Sequence, residues 1–201
     1  MSHLLAWAYT ADVRQYPHDV AAAARLLDDA GVFPAANGER FAITFTHAGT
    51  QQRLGQALRE QLKAVGITVN LQTLDFNAAV DQVFVKKDFD LGIASFCNGA
   101  DPDIGVRRVY VSTNIGPYPF SNGAGYRNAR VDELFDEASR AQDRETRRAR
   151  YVEIQKILAE DVPYFWIVDS EGLRAYRTAF TGFRLWTGAF AETVRPATAD
   201  Q

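Results

Sequence analysis

The residues able to do chemistry gather in one stretch of this chain. In DFDLGIASFCNGADPDIG (Asp88 to Gly105), an apolar run ends in a turn carrying Asn98, Asp101, Pro102 and Asp103. An amide and two carboxylates delivered to the end of a buried run suit a small-solute site, where a few polar groups fix a ligand's orientation. Other chemistries draw on the same residue types. Cys97, His47 and an aspartate can form a thiol triad, because His47 continues the Phe41–Ile43–Phe45 face and both residues end apolar runs. A small buried thiol and a strand-end histidine are the plainer reading. Asp101 and Asp103 can approach a metal, but the three histidines do not pair at ligand spacing, so no metal is expected. Turn formation by Asp101 and helix capping by Asp103 are the plainer roles. GAGYRN (Gly123 to Asn128) resembles a dinucleotide loop but lacks the third glycine and does not follow a strand. No cofactor is expected.

The elements that position this turn follow from periodicity. His18 to Ala30 reads as a helix opened by Pro17 and stopped by Gly31. Phe41, Ile43 and Phe45 alternate with smaller residues, the period of a strand. Gln51 to Val65 is a helix with Thr50 as its cap, and ITVNL alternates as a second strand. Asp75 caps a helix over Phe76 to Val85 whose inner face is Phe76, Ala79, Val80, Val83 and Phe84. FDLGIASF is then a third strand, apolar on both faces except at Asp90 and Ser95, as in the middle of a covered sheet. This order predicts an α/β fold with a mainly parallel sheet flanked by helices. Ligands in such sheets sit outside the carboxyl ends of the strands, which is where Cys97 to Asp103 should lie.

Ser112 to Asn128 follows as a long glycine- and proline-rich loop. Its aromatics, Tyr118 to Tyr126, either stack on a ligand or pack on one another. Two helices come next, marked by Val131, Leu134, Phe135 and Ala138, and by Tyr151, Ile154, Ile157 and Leu158. RAQDRETRRAR (Arg140 to Arg150) interleaves acids with bases at the start of the second helix and reads as a solvated face. YFWIVD reads as a last buried strand, GLRAYRTAFTGF as a short hairpin, and the tail from Thr187 is unpatterned.

Composition narrows the function. With 201 residues, 47% of them hydrophobic, the chain can bury a substantial core. A net charge of −3 with 23% charged residues gives no reason to expect nucleic-acid or membrane-surface binding. One cysteine excludes an internal disulfide, and no stretch reaches the roughly 20 apolar residues of a membrane span. The opening MSHLLAWAYTADVRQ is too short and polar for a signal peptide, so the leader of an exported parent would lie outside this chain.

HDVAAAARLLDDAG, LREQLKAVGITVNLQTLDFNAAV, DFDLGIASFCNGADPD, GYRNARVDELFDEA and RRARYVEIQKILAEDVPY, in this order, resemble the C-terminal half of the family 5 extracellular solute-binding proteins. These are the peptide- and nickel-type binding subunits of ABC importers. The resemblance spans Asp12 to Phe183 and implies a periplasmic-binding-protein type II-like lobe, with residues 1–201 forming one lobe and residues 184–201 returning toward a second lobe outside this chain. It implies capture of a peptide-like or other small solute in an interlobe cleft, delivery to ABC permease subunits, a periplasmic or extracellular membrane-associated location, and no catalysis. It implies that Phe96, Cys97, Asn98, Gly99 and Asp101 at the strand end face the ligand, and the loop reading adds Tyr118, Asn122 and Tyr126 to the candidate ligand-binding residues. In peptide-binding members an aspartate shortly before the proline meets the peptide's α-amino group. Counting back from Pro102, that position is Asn98. An amide lacks the charge that an ammonium favours, which argues against a free amino group bound there. An α/β enzyme using Cys97 and His47, and an interaction lobe without a small ligand, are the competing expectations.

Overall fold

In the computed structural model, residues 1, 5–96, 98–169, 175, 177–183 and 194–196 are described. Two compact units divide the chain, Met1–Tyr164 and Phe165–Gln201.

The first unit is α/β, with a parallel sheet and helices around it. Helix α1 spans Val20–Asp29, and Asp19 caps it by accepting the Ala22 N–H at 2.8 Å. The helix therefore begins after Pro17 rather than on it. Strand β1 (Phe41–Ala48) leads through a short 3-10 turn, Gly49–Gln51, into α2 (Gln52–Lys63). That turn occupies the place expected for a Thr50 cap, and α2 starts without a side-chain cap. Strand β2 (Ile67–Leu74) pairs with β1 along its whole length, from Phe41–Ile67 to Ala48–Leu74. Gly66, before β2, adopts φ +81°, and a Cβ there would lie 2.8 Å from the Gly38 carbonyl oxygen. Only glycine meets both demands.

Asp75 caps α3 (Phe76–Val80) as expected, accepting the Ala78 N–H at 3.0 Å. The helix then widens into a π-helical turn, Asp81–Lys86. Ala79, Val83 and Phe84 of the expected inner face are buried, while Phe76, at the first position of the helix, is exposed. Strand β3 follows and is far shorter than the apolar run suggested: Leu91–Gly92, paired with Phe45 and Thr46 of β1. The sheet order is β2-β1-β3, so β1, not β3, is the central strand.

The run shortens because it serves two cores. Leu91 and Ile93 pack with Phe45, Ile67 and Val69 beneath α2, while Phe96 packs against a second core built by α4 (Arg107–Tyr110), α5 (Ala129–Arg140) and α6 (Arg144–Asp161). In that second core Val131, Leu134, Phe135, Ala138, Tyr151 and Ile154 are fully buried, matching the expected helix faces. A chain crossing from one core to the other leaves the ladder early while keeping its apolar residues.

In the second unit, β4 (Phe180–Thr181) pairs antiparallel with β5 (Arg195–Pro196). The segment read as a last buried strand is neither a strand nor buried, since Phe165, Trp166, Ile167 and Val168 are all exposed. The expected hairpin and tail fall partly outside the described residues.

Candidate functional site

Strand β1 leads to β2 on one side, and β3 lies on its other side. The carboxyl ends of β1 and β3 thus flank the switch point at which parallel sheets place ligands. Beyond β3 the chain runs through Phe96 into a tight turn before α4. The Gly99 N–H donates to the Ile104 carbonyl at 2.7 Å, the Ile104 N–H to the Asp101 carbonyl at 2.8 Å, and the Arg107 N–H to the Pro102 carbonyl at 3.0 Å. Ile104 folds over Gly99 so closely that a Cβ at residue 99 would sit 2.7 Å from its Cγ2. The Ile104 side chain is otherwise exposed.

The two carboxylates of this turn face inward. Asp101 Oδ1 accepts the Asp103 N–H at 3.0 Å, forming the expected turn. Both Asp101 oxygens also meet the guanidinium of Arg147 at 2.8 Å, a bidentate pair. Burial alone would push Asp101 upward. The hydrogen bonds from Arg147 and the Asp103 N–H outweigh it and hold the carboxyl below its ordinary range. Asp103 lies 3.7 Å from both Arg107 and Arg147, and its buried Oδ1 has no hydrogen bond. Burial raises its pKa, helped by neighbouring Asp101. Asp103 does not cap α4, which starts without a side-chain cap.

Arg147 was expected on a solvated face, yet it is mostly covered. Its Nε donates to the Ala138 carbonyl at 3.1 Å and its Nη2 to the Tyr151 hydroxyl at 3.0 Å. The guanidinium also sits 5.3 Å from the ring centre of Trp7, whose indole N–H donates to the Ala100 carbonyl at 3.3 Å. Burial and the nearby Asp103 charge push the Tyr151 hydroxyl up to about 12. A signal for Arg147 did exist in the sequence. It lies four residues before Tyr151, in register with Ile154 and Leu158, and an arginine on a buried face needs a carboxylate partner.

Asn98 differs from its neighbours. It is half-buried, and its side-chain amide makes no hydrogen bond with any described residue. Cys97, immediately before it, lies outside the described residues. Phe96 joins a group of edge-to-face rings with Phe84, Phe120 and Tyr164, at centroid distances of 6.1, 6.4 and 6.3 Å.

The loop aromatics mostly pack on the protein itself. Phe120 lies 5.4 Å from Phe84, and Tyr126 stands edge-on to Tyr110 with its hydroxyl donating to Asp161 at 2.5 Å. Asn122 is fully buried. Its amide donates to the carbonyls of Tyr110, Val111 and Tyr126, and its oxygen accepts the Tyr126 N–H. Tyr118 is 43% exposed, its hydroxyl donating to Asn114 at 3.1 Å. Of the sequence-derived set, then, Asn98, Gly99 and Asp101 share the turn. Phe96 and Tyr126 share the aromatic group, Asn122 pins the loop from within, and Tyr118 lies on its surface.

His47 is fully buried at the end of β1. Its Nδ1 lies 2.9 Å from the Ala48 carbonyl oxygen and its Nε2 3.3 Å from the Thr73 hydroxyl. Both ring nitrogens are therefore engaged within the core, the geometry of a structural histidine. No group of three or more metal-ligating side chains exists among the described residues, and no helix among them is long and apolar enough to cross a membrane.

Several known proteins are similar to this chain in sequence and fold. The family profile "Bacterial extracellular solute-binding proteins, family 5 Middle" matches residues 1–117. Protein XP55 of Streptomyces lividans is 32% identical over 190 residues, covering 90% of this chain and 34% of that protein. The glutathione-binding protein GsiB of Shigella dysenteriae is 27% identical over 182 residues, covering 88% and 35%. Among solved structures, the oligopeptide-binding protein AppA of Bacillus subtilis, in complex with a nonapeptide, aligns with TM-score 0.66 at 25% identity, over 79% of this chain and 33% of that one. The periplasmic binding protein DppA of Helicobacter pylori shares the fold, with TM-score 0.67 at 24% identity over 79% and 30%. The chain spans about a third of the length of the curated relatives it matches.

Proposed function

Because this chain belongs to the bacterial extracellular solute-binding proteins of family 5, we propose that it forms one wall of the solute-binding cleft of an ABC importer's binding subunit. Its partners are then a small solute, a second lobe supplied by a longer protein, and the permease that receives the solute on the periplasmic or outer face of the membrane. The role is capture and release, without a chemical step on the solute.

The observation that carries this reading is Asn98. At the carboxyl edge of the sheet the carboxylates of Asp101 and Asp103 turn inward to Arg147 and Arg107, and the Asn98 amide is left without a hydrogen-bond partner among the described residues. An amide supplies two donors and one acceptor but no charge. The site therefore suits a solute that is neutral at this point or presents acceptors, such as a peptide-like molecule whose amino group is blocked or bound elsewhere. Phe96 and the exposed Ile104 supply apolar surface beside it.

The test is calorimetry of the unsubstituted protein and Asn98→Asp with trialanine and N-acetyl-trialanine. The unsubstituted protein should prefer the acetylated peptide. Asn98→Asp should move the ratio of affinities toward the free amine by tenfold or more, about 1.4 kcal/mol. A ratio unchanged within twofold would show that Asn98 does not meet the solute. Binding of neither peptide at millimolar concentration would remove peptide-like solutes from consideration.

A further inference from the structure

We propose that Arg147 is the positioning residue that locks the Asn98–Ile104 turn onto the α5–α6 pair and thereby presents Asn98 to the cleft. The link to a cleft rests on the function proposed above; the lock itself stands on geometry. The turn's own backbone bonds close it on itself and onto α4 but not onto α5 or α6, and the oxygen that orients it, Asp101 Oδ1, accepts from both the Asp103 N–H and Arg147. On its other side the same guanidinium is tied to Ala138 and Tyr151, two fully buried residues of the second core. Trp7 closes the assembly, its ring against Arg147 and its indole N–H on the Ala100 carbonyl. One planar cation thus joins a polar turn to a rigid helical pair.

The chemistry requires arginine. Its flat fork directs N–H groups at two Asp101 oxygens, the Ala138 carbonyl and the Tyr151 hydroxyl together, while a lysine ammonium is a point charge with three donors and cannot span them. Without the fork, Asp101 loses the partner that aims it at the Asp103 N–H, and two adjacent carboxylates repel each other. Gly99 and Asn98 then lose their fixed place. The strand ladder ends at Gly92, so nothing in the sheet holds them.

The experiment is amide hydrogen exchange read by NMR on the unsubstituted protein, Arg147→Lys and Asp101→Asn. The amides of Leu134 and Phe135 in α5 serve as an internal reference. Gly99 and Asp103 should exchange at least tenfold faster in both variants while the α5 amides stay within threefold, and the Trp7 indole N–H resonance should shift. Affinity for N-acetyl-trialanine should fall about tenfold in parallel. Unchanged exchange at Gly99 and Asp103 would overturn the lock, and equal acceleration everywhere would reduce Arg147 to a general stabiliser. Faster turn exchange with unaltered affinity would overturn its role in presenting Asn98. If the unsubstituted protein binds no peptide, the binding reading fails while the exchange comparison still decides the lock. Should both variants fail to fold, the Arg147 guanidinium protons of the unsubstituted protein decide it: they exchange slowly if locked and at the rate of exposed Arg59 if not.

Discussion

Asp101 and Asp103 stand two residues apart in one turn and respond oppositely to it. Asp101 gains two charge-assisted bonds from Arg147 and titrates below the ordinary aspartate range. Its contribution to stability is thus fully present above about pH 4 and disappears as pH falls through its lowered value. Asp103 is raised, chiefly by burial, so ionising it opposes folding as pH rises through its value. Asp101→Asn should therefore destabilise the protein at pH 7 by about 2–3 kcal/mol, leaving Arg147 half-paired. Asp103→Asn should be neutral or mildly stabilising at pH 7. Urea titrations at pH 7 check both, and a larger loss from Asp103→Asn would contradict this assignment. The turn-forming role of Asp101 was legible in the sequence, because an aspartate before proline in a polar cluster favours a turn, while its pairing with Arg147 rather than with a ligand was not. Arg147 was harder to read, because its helical register with Tyr151 and Ile154 lies inside a run of alternating charges that as a whole reads as a solvated face.

Elements were legible where the sequence period was regular. Strand β1 alternates and is a strand; α5 carries its apolar residues at helical spacing and buries those residues. The run after Asp88 misled because apolar content does not distinguish a paired strand from extended chain that leaves the sheet to fill a second core, as Phe96 does. The loop after α4 also concealed its logic. One buried side chain, Asn122, ties its two ends together, its three donated bonds and one accepted bond joining Tyr110, Val111 and Tyr126. Asn122→Ala would remove all four of these bonds and should cost about 2–4 kcal/mol in chemical denaturation. A loss under about 0.5 kcal/mol, the level of an ordinary surface change, would mean the aromatic packing holds the loop unaided. Tyr118, on the loop's surface, should be the aromatic whose removal leaves stability unchanged.

At the scale of the molecule, α/β class followed from the switching of periods, and family from the ordered set of segments. The solute's identity was not legible, since in the proposed role this chain supplies one wall of a cleft, and one wall specifies only what touches it. A closing site takes contacts and water exclusion from both walls. This chain alone should hence bind a solute at least tenfold more weakly than a protein that also carries the remaining length of its relatives, as measured by calorimetry with one common peptide. Equal affinities would place the whole site within these 201 residues. The central claim is narrower: solute is met at the carboxyl end of β3, through the turn that Arg147 holds. Its most direct test tolerates weak binding. Backbone amide shifts are followed by NMR while N-acetyl-trialanine is titrated to millimolar concentration. The predicted result is saturable shifts, largest at Asn98 and Gly99, smaller at Phe96 and Ile104, and absent along α5. Saturable shifts centred elsewhere, such as around His47 and Thr73, with Asn98 and Gly99 unmoved, would contradict it.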